Sequence, residues 1–198
     1  MKLYNYIDDS IIKEIVKVLD NDGLIIFPTD TVYGIACNAS SDIAILKLFN
    51  AKKRSLDNPI GVLTDSIDKI KLVVKEINNL EKELINKYLP GNLTIVFNKK
   101  DDVSNILTAN KSTIGVRIPN NDIALTILKA YPYPLATTSV NISNFEPGHK
   151  LDDFYSDFKD NVDIIIDGGE TNDMPSTIVR VINNKIEVLR KGSLKMDR

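Results

Sequence analysis

Side chains able to hold an anion recur just behind short apolar runs of this chain. Pro28-Thr29-Asp30-Thr31-Val32-Tyr33-Gly34 follows the run Leu24 to Phe27, and ligands in α/β sheets usually bind at strand ends. Two hydroxyls and a carboxylate there suit a small polar molecule. The plainer alternative is a turn that Asp30 and the threonines close on their own backbone. Lys52-Lys53-Arg54, with Asn58 close behind, could grip phosphate, Arg54 as a planar fork and Lys52 as a point charge. On a helix Lys52 and Arg54 point apart, whereas in an extended segment they share a side. A solvated helix end favoured by the macrodipole is the alternative there.

Arg117 interrupts the apolar stretch Ile114-Gly115-Val116-Arg117-Ile118. It is therefore either an edge residue or a buried charge with an anionic partner. In Leu135-Ala136-Thr137-Thr138-Ser139-Val140-Asn141 a strand runs into hydroxyls and an amide. Such groups recognise sugar, phosphate or amino-acid atoms, or simply cap a turn. Pro175-Ser176-Thr177 and Arg190-Lys191-Gly192 repeat the pattern more weakly. The set is rich in hydroxyls and cations and lacks an acid/base pair. It fits an anionic, phosphate-bearing ligand better than hydrolysis by two carboxylates. A Walker-type GxxxxGK[ST], a GxGxxG behind a strand and a GxSxG elbow are absent. A Ser139–His149–Asp or Cys37–His149 arrangement stays open.

These residues must be carried by a regular frame. Apolar residues at 11, 12, 15, 16 and 19 keep helical spacing, with Asp9 or Ser10 as cap and Gly23 as stop. Leu24 to Phe27 reads as a buried strand. A second helix runs from Ser41 or Asp42 to about Ala51, a third spans Ile77 to Tyr88, and a fourth lies around Ile123 to Tyr131. Strands are expected at 60–63, 93–97, 114–118, 134–138, 162–166, 176–182 and 185–189, the last two joined by an Asn183-Asn184 hairpin turn. The alternation implies a mixed α/β sheet with helices packed on it. Residues 143–161 read as a loop.

The chain has 198 residues, the size of a single domain. One cysteine and one histidine exclude a disulfide framework and a Cys/His zinc site. No signal-peptide core follows Met1, so a cytosolic protein is expected. A net charge of −2 promises no strong field for nucleic acid.

Seven segments stand in the order of a known family: Pro28 to Gly34, Lys52-x-Arg54, Pro90-Gly91-x-Leu93-Thr94, Val116-Arg117-Ile118-Pro119, Ser139-x-Asn141, Ser176-Thr177-Ile178 and Arg190-x-Gly192. Over about residues 8 to 192 the chain resembles the YrdC/Sua5 family, the threonylcarbamoyl-AMP synthases, in its short single-domain form. The resemblance implies a twisted mixed sheet with flanking helices around a large basic cavity. It implies that L-threonine, bicarbonate or CO2, and ATP with Mg2+ become threonylcarbamoyl-AMP and pyrophosphate. The product serves the N6-threonylcarbamoyladenosine modification of tRNA through a separate transferase. Thr31, Arg117, Thr137 and Ser176 would hold threonine. Lys52, Arg54, Asn58, Thr113, Ser139, Asn141, Pro147 and Arg190 would surround ATP, with Lys52 and Arg54 on the phosphates and no resident metal.

Departures are Asn92 for a frequent proline, Val140 for alanine, Asn144 for glycine, and Leu63 where some relatives carry histidine. The Asn144 change bears on the conformation of its loop. Two alternatives remain: a paralogue with another carbamoyl or adenylyl transfer activity, and an RNA- or ribosome-binding module.

Overall fold

A computed structural model describes residues 1–172 and 174–196. In chain order its elements are β1 (Lys2–Tyr4), α1 (Asp9–Asp20), β2 (Ile25–Phe27), β3 (Gly34–Asn38), α2 (Asp42–Ala51), β4 (Gly61–Leu63), α3 (Ile67–Val73) and α4 (Asn79–Tyr88). There follow β5 (Leu93–Asn98), β6 (Thr113–Arg117), α5 (Asp122–Ala130), β7 (Leu135–Ser139), a 3-10 turn (Leu151–Asp153), α6 (Tyr155–Phe158), β8 (Ile164–Ile166), β9 (Thr177–Ile182) and β10 (Lys185–Arg190).

Side-chain caps start the main helices by satisfying free N–H groups of the first turn. Asp8, rather than Asp9 or Ser10, accepts from Ile11 N at 2.8 Å to open α1. Ser41 caps α2 and Asn121 caps α5. Asn78 and Glu81 form a reciprocal capping box on α4. Ile11, Ile15 and Leu19 are the buried stripe of α1, each contributing about 2 kcal/mol by burial.

All ten strands join one mixed sheet, in the order β1-β8-β2-β3-β7-β4-β6-β5-β9-β10. One face packs α1 and α5 against Ile25, Phe27, Ala36, Leu135, Ile164 and Ile166. The other face builds the larger core, with Ile95, Phe97, Ile114, Val116 and Val179 under α2 and α4. Strand alternation then decides where chemistry can sit. In β5, Leu93, Ile95 and Phe97 enter the larger core, so Thr94 and Val96 face the other way. In β6, Ile114 and Val116 point inward, so Thr113, Gly115 and Arg117 share the opposite face.

Three elements outside residues 143–161 escaped the sequence reading. Strand β1 has three residues at an edge, α3 has seven, and β3 starts at Gly34, the last residue of a segment that reads as a turn. Periodicity needs longer windows than these. The expected loop at 143–161 holds α6 and the 3-10 turn, pinned by buried Phe154 and Phe158. Asn183 and Asn184 both have positive φ, at 49° and 58°, so the predicted hairpin forms.

Helix α2 ends in a Schellman turn: Arg54 N donates to Phe49 O at 2.9 Å and Lys53 N to Asn50 O at 3.0 Å. Lys53 occupies its left-handed position at φ 50° without being glycine. A side chain in that region costs about 1–2 kcal/mol, and glycine's extra backbone entropy recovers part of it. Lys53→Gly should therefore stabilise the protein by about 1 kcal/mol, seen as a Tm rise of about 2–4 °C by calorimetry.

Candidate functional site

A cleft of about 370 Å3 opens on the sheet face where β3, β7, β4, β6, β5 and β9 turn away from the larger core. Its floor is nearly bare. Gly34, Gly61 and Gly115 line it, and a Cβ on Gly61 would stand 2.9 Å from the Gly115 carbonyl. Bulky residues at these three positions would fill the space that a ligand needs. Thr29, Thr31, Thr94, Thr137, Ser139 and Ser176 supply hydroxyls around the floor. Arg54, Arg117 and Arg190 supply the cations, and among the described residues no carboxylate lines the cleft. The resemblance implies a large, positively lined cavity; this cleft carries three guanidiniums, one of them paired.

The paired one is Arg117. It is buried, and its Nη2 donates to Asp30 Oδ1 at 2.6 Å. Three more of its five N–H groups reach Thr31 Oγ1 at 2.8 Å, Gly91 O at 2.9 Å and Asn92 Oδ1 at 3.2 Å. Of the two sequence alternatives for Arg117, the structure selects the buried charge with an anionic partner. Burial pulls its pKa below the usual arginine range and Asp30 pushes back. Asn92, the departure from proline, supplies one of the acceptors.

Arg54 leaves the Schellman turn and folds over the cleft rim, donating to Asn58 O at 3.1 Å and Pro59 O at 3.0 Å. Lys52 turns inward and is fully buried. Its ammonium donates to Ser139 O, to Asn141 O at 2.8 Å and to Asn141 Oδ1 at 2.9 Å. Desolvation, helped by the Arg54 charge, draws its pKa down to about 7. The three acceptors oppose that shift, because only the protonated amine can serve all three. Ser139 Oγ donates to the same Asn141 oxygen at 2.7 Å, so Lys52 and Asn141 hold the end of β7 in place.

Arg190 owes its aim to a β-bulge. Val188 pairs with Val179, but Arg190, not Leu189, pairs with Ile178. The extra residue flips the side-chain parity. Arg190 thereby joins Ile178 on the cleft face and donates to Ser176 O at 2.9 Å and Ser176 Oγ at 3.3 Å.

Of the twelve residues assigned from the sequence, Thr31, Arg54, Arg117, Thr137, Ser139, Pro147, Ser176 and Arg190 line this cleft. Lys52 sits behind Ser139. Asn141 lines a neighbouring cavity of about 760 Å3 that shares Pro147. Asn58 is exposed and meets the site through its carbonyl to Arg54. Thr113 lies on the cleft face of β6 but beyond the lining. The sequence reading pointed to the Thr29 hydroxyl without assigning it a ligand, gave Thr94 no role, and passed over the glycine floor. The alternation Leu93-Thr94-Ile95 was the available signal for Thr94.

The nucleophile–base alternatives find no support in the geometry. Cys37 is fully buried and burial pushes its thiol up to about 12. Ser139 gives its proton to Asn141. His149 spends Nδ1–H on Asn172 O at 3.0 Å, where it helps tie residues 147–153 to residues 167–172. Tyr33 joins that knot by donating to Gly169 O at 2.7 Å. Asn144 keeps its loop in the left-handed form at φ 73°, which asparagine tolerates better than other side chains, so the glycine it replaces is not missed. Among the described residues no group of three His, Cys, Asp or Glu could hold a metal ion, and no helix is long and apolar enough to cross a membrane.

Fold and cleft together define an α/β domain with a hydroxyl- and guanidinium-lined pocket on the face of a ten-stranded mixed sheet. The chain belongs to the Sua5/YciO/YrdC family, whose family model, described as "Telomere recombination", matches residues 17–192. It is 34% identical over 175 residues to the threonylcarbamoyl-AMP synthase of Pyrococcus abyssi, covering 88% of this chain and 52% of that protein. The chain thus spans about half the length of that relative. It is also 34% identical over 183 residues to the putative threonylcarbamoyl-AMP synthase of Methanocaldococcus jannaschii, covering 92% of this chain and 86% of the other. The structure of P. abyssi Sua5 in complex with L-threonine superposes with a TM-score of 0.93 at 31% identity, over 98% of this chain and 58% of that one. Escherichia coli YciO shares the fold, with a TM-score of 0.87 at 22% identity over 97% of this chain and 96% of that one.

Removing one partner of a buried ion pair strands the other charge, at a cost of about 3 kcal/mol or more. Asp30→Ala should lower unfolding free energy by about that amount in urea titrations.

Proposed function

We propose that the protein makes threonylcarbamoyl-AMP and pyrophosphate from L-threonine, CO2 or bicarbonate, and ATP. The observation that carries this reading is the meeting of Arg54, Ser139, Arg117 and Arg190 in one cleft, on the fold of chains named as that synthase. Threonine would lie over β6 and β5, its carboxylate toward Arg117, with Thr31, Thr137 and Ser176 around it. ATP would run from Arg54 past Ser139 and Pro147 toward Asn141, since Pro147 borders both cavities. Arg54 and Arg190 would face the phosphates, while Lys52 shapes the turn beneath them. Magnesium would enter with ATP as part of the substrate. Among the described residues the cleft offers no carboxylate set for a resident ion.

The chemistry asks little of a protein base. The threonine amine adds to CO2 and releases a proton, giving an anionic carbamate. A carbamate oxygen forms a bond to the α-phosphorus, and the bond to the β-phosphate bridging oxygen breaks. Both partners are anions, so fixed guanidiniums accelerate the step by neutralising charge and holding the in-line geometry. The mixed anhydride formed would pass to a transferase acting on tRNA, and the enzyme would work in the cytoplasm, where ATP and tRNA are available.

Purified protein supplied with threonine, bicarbonate, Mg2+ and ATP should release pyrophosphate in a threonine-dependent manner; a rate indifferent to threonine rules the synthase out. Arg54→Ala should weaken ATP binding by about tenfold or more, as for loss of a charged hydrogen bond, with threonine binding little changed. Calorimetric titration of both ligands checks this, and unaltered ATP affinity would move the phosphates elsewhere.

A further inference from the structure

Hydrogen-bond direction separates the cleft hydroxyls into two kinds. Thr29 Oγ1 donates to Val32 O at 2.7 Å. In its 3.0 Å contact with Thr31 the proton therefore belongs to Thr31. Thr31 in turn accepts from Arg117 Nη1 at 2.8 Å. This relay ends on a backbone carbonyl and leaves no hydroxyl proton for a ligand. Thr137 donates to Leu135 O at 3.0 Å and Ser139 to Asn141 Oδ1 at 2.7 Å, so their protons are spent too.

Thr94 and Ser176 differ. Their oxygens lie 2.8 Å apart, so one of their two protons is shared between them. Ser176 Oγ also accepts from Arg190 Nη2 at 3.3 Å. Accepting from a cation polarises the Ser176 hydroxyl and makes it the better donor of the two, so Ser176 donates to Thr94 and the Thr94 proton is left, with no further acceptor among the described residues. The pairing of Ile95 with Val116 sets Thr94 across from Arg117 on the cleft face. Cross-strand neighbours hold their Cβ atoms about 5 Å apart. Arg117 has committed four of its N–H groups, leaving one hydrogen on Nη1. Two donors uncommitted among the described residues therefore belong to neighbouring side chains on the cleft face.

We infer that Thr94 is a specificity-determining residue of the amino-acid site: paired with Ser176, it presents the hydroxyl proton that, beside Arg117, reads a carboxylate oxygen of the substrate. The inference rests on the synthase reading for the identity of that substrate. Thr94→Val keeps the shape and removes the hydroxyl. By calorimetric titration it should weaken threonine about tenfold or more, the scale of a hydrogen bond to a charged group, while ATP affinity and Tm stay at wild-type values. Thr94→Ser should restore threonine binding to within a few-fold. Threoninol, which lacks the carboxylate, should bind wild type and Thr94→Val alike. Wild-type threonine affinity in Thr94→Val, equal losses for threonine and ATP, or equal losses for threonine and threoninol would each overturn the inference. Wild type that binds threonine yet releases no pyrophosphate would instead overturn the synthase reading and leave the role of Thr94 standing.

Discussion

A guanidinium buried at the end of a central strand cannot persist without a counter-charge, and the construction of the cleft follows from that requirement. Arg117 is met by Asp30 from the turn after β2, by Thr31 from the same turn, and by Gly91 and Asn92 from the link between α4 and β5. Each of these segments is held near the cleft by a bond to one side chain. Asp30 Oδ2 is buried with no hydrogen-bond partner among the described residues, so the pair is stabilised less than its short distance suggests. A charge kept at such cost in a sheet that otherwise buries mostly apolar residues marks this end of β6 as a candidate functional site.

The sheet supplies position through parity. One side of β5, β6 and β9 is a continuous apolar layer. That layer anchors the strands firmly, so the opposite side can afford glycines and small hydroxyls in place of packed side chains. The bulge at Leu189 applies the same logic once more. It costs a ladder position at the sheet's edge and turns a cation from the apolar face to the polar one. Cavity, donors and charge are consequences of which residues fall at alternate positions.

Much of this was legible in sequence, unevenly. Long periodic helices, the Asn183-Asn184 hairpin and the alternating β5 announce themselves through local pattern. The resemblance ordered the seven motifs along the chain. The partner of Arg117 was not legible, because Asp30 lies 87 positions away and reads locally as a turn residue. Nor was the inward turn of Lys52, whose acceptors on Ser139 and Asn141 lie 87 and 89 positions away, or the left-handed Lys53 that no propensity rule favours. The bulge at Leu189 leaves no local mark either, since its presence is a matter of register between two strands. Short elements such as α3 and β1 are fixed by tertiary packing more than by their own residues.

Lys52 shows how the site couples its own electrostatics. Burial and the nearby Arg54 charge draw its pKa down to about 7, while three oxygen acceptors favour the protonated form. An anion arriving beside Arg54 cancels the like-charge repulsion and adds attraction, so it raises the pKa of Lys52. By linkage, the protonated amine then binds the anion more strongly than the neutral one does. The further burial lowers the pKa before binding, the larger the share of molecules in which the ligand must draw a proton in as it binds. The same proton tightens the hold on Ser139 and Asn141, because the neutral amine has only two N–H groups for the three acceptors. An anion's charge beside Arg54 and the shape of the turn at the end of β7 would thus be joined through one buried amine.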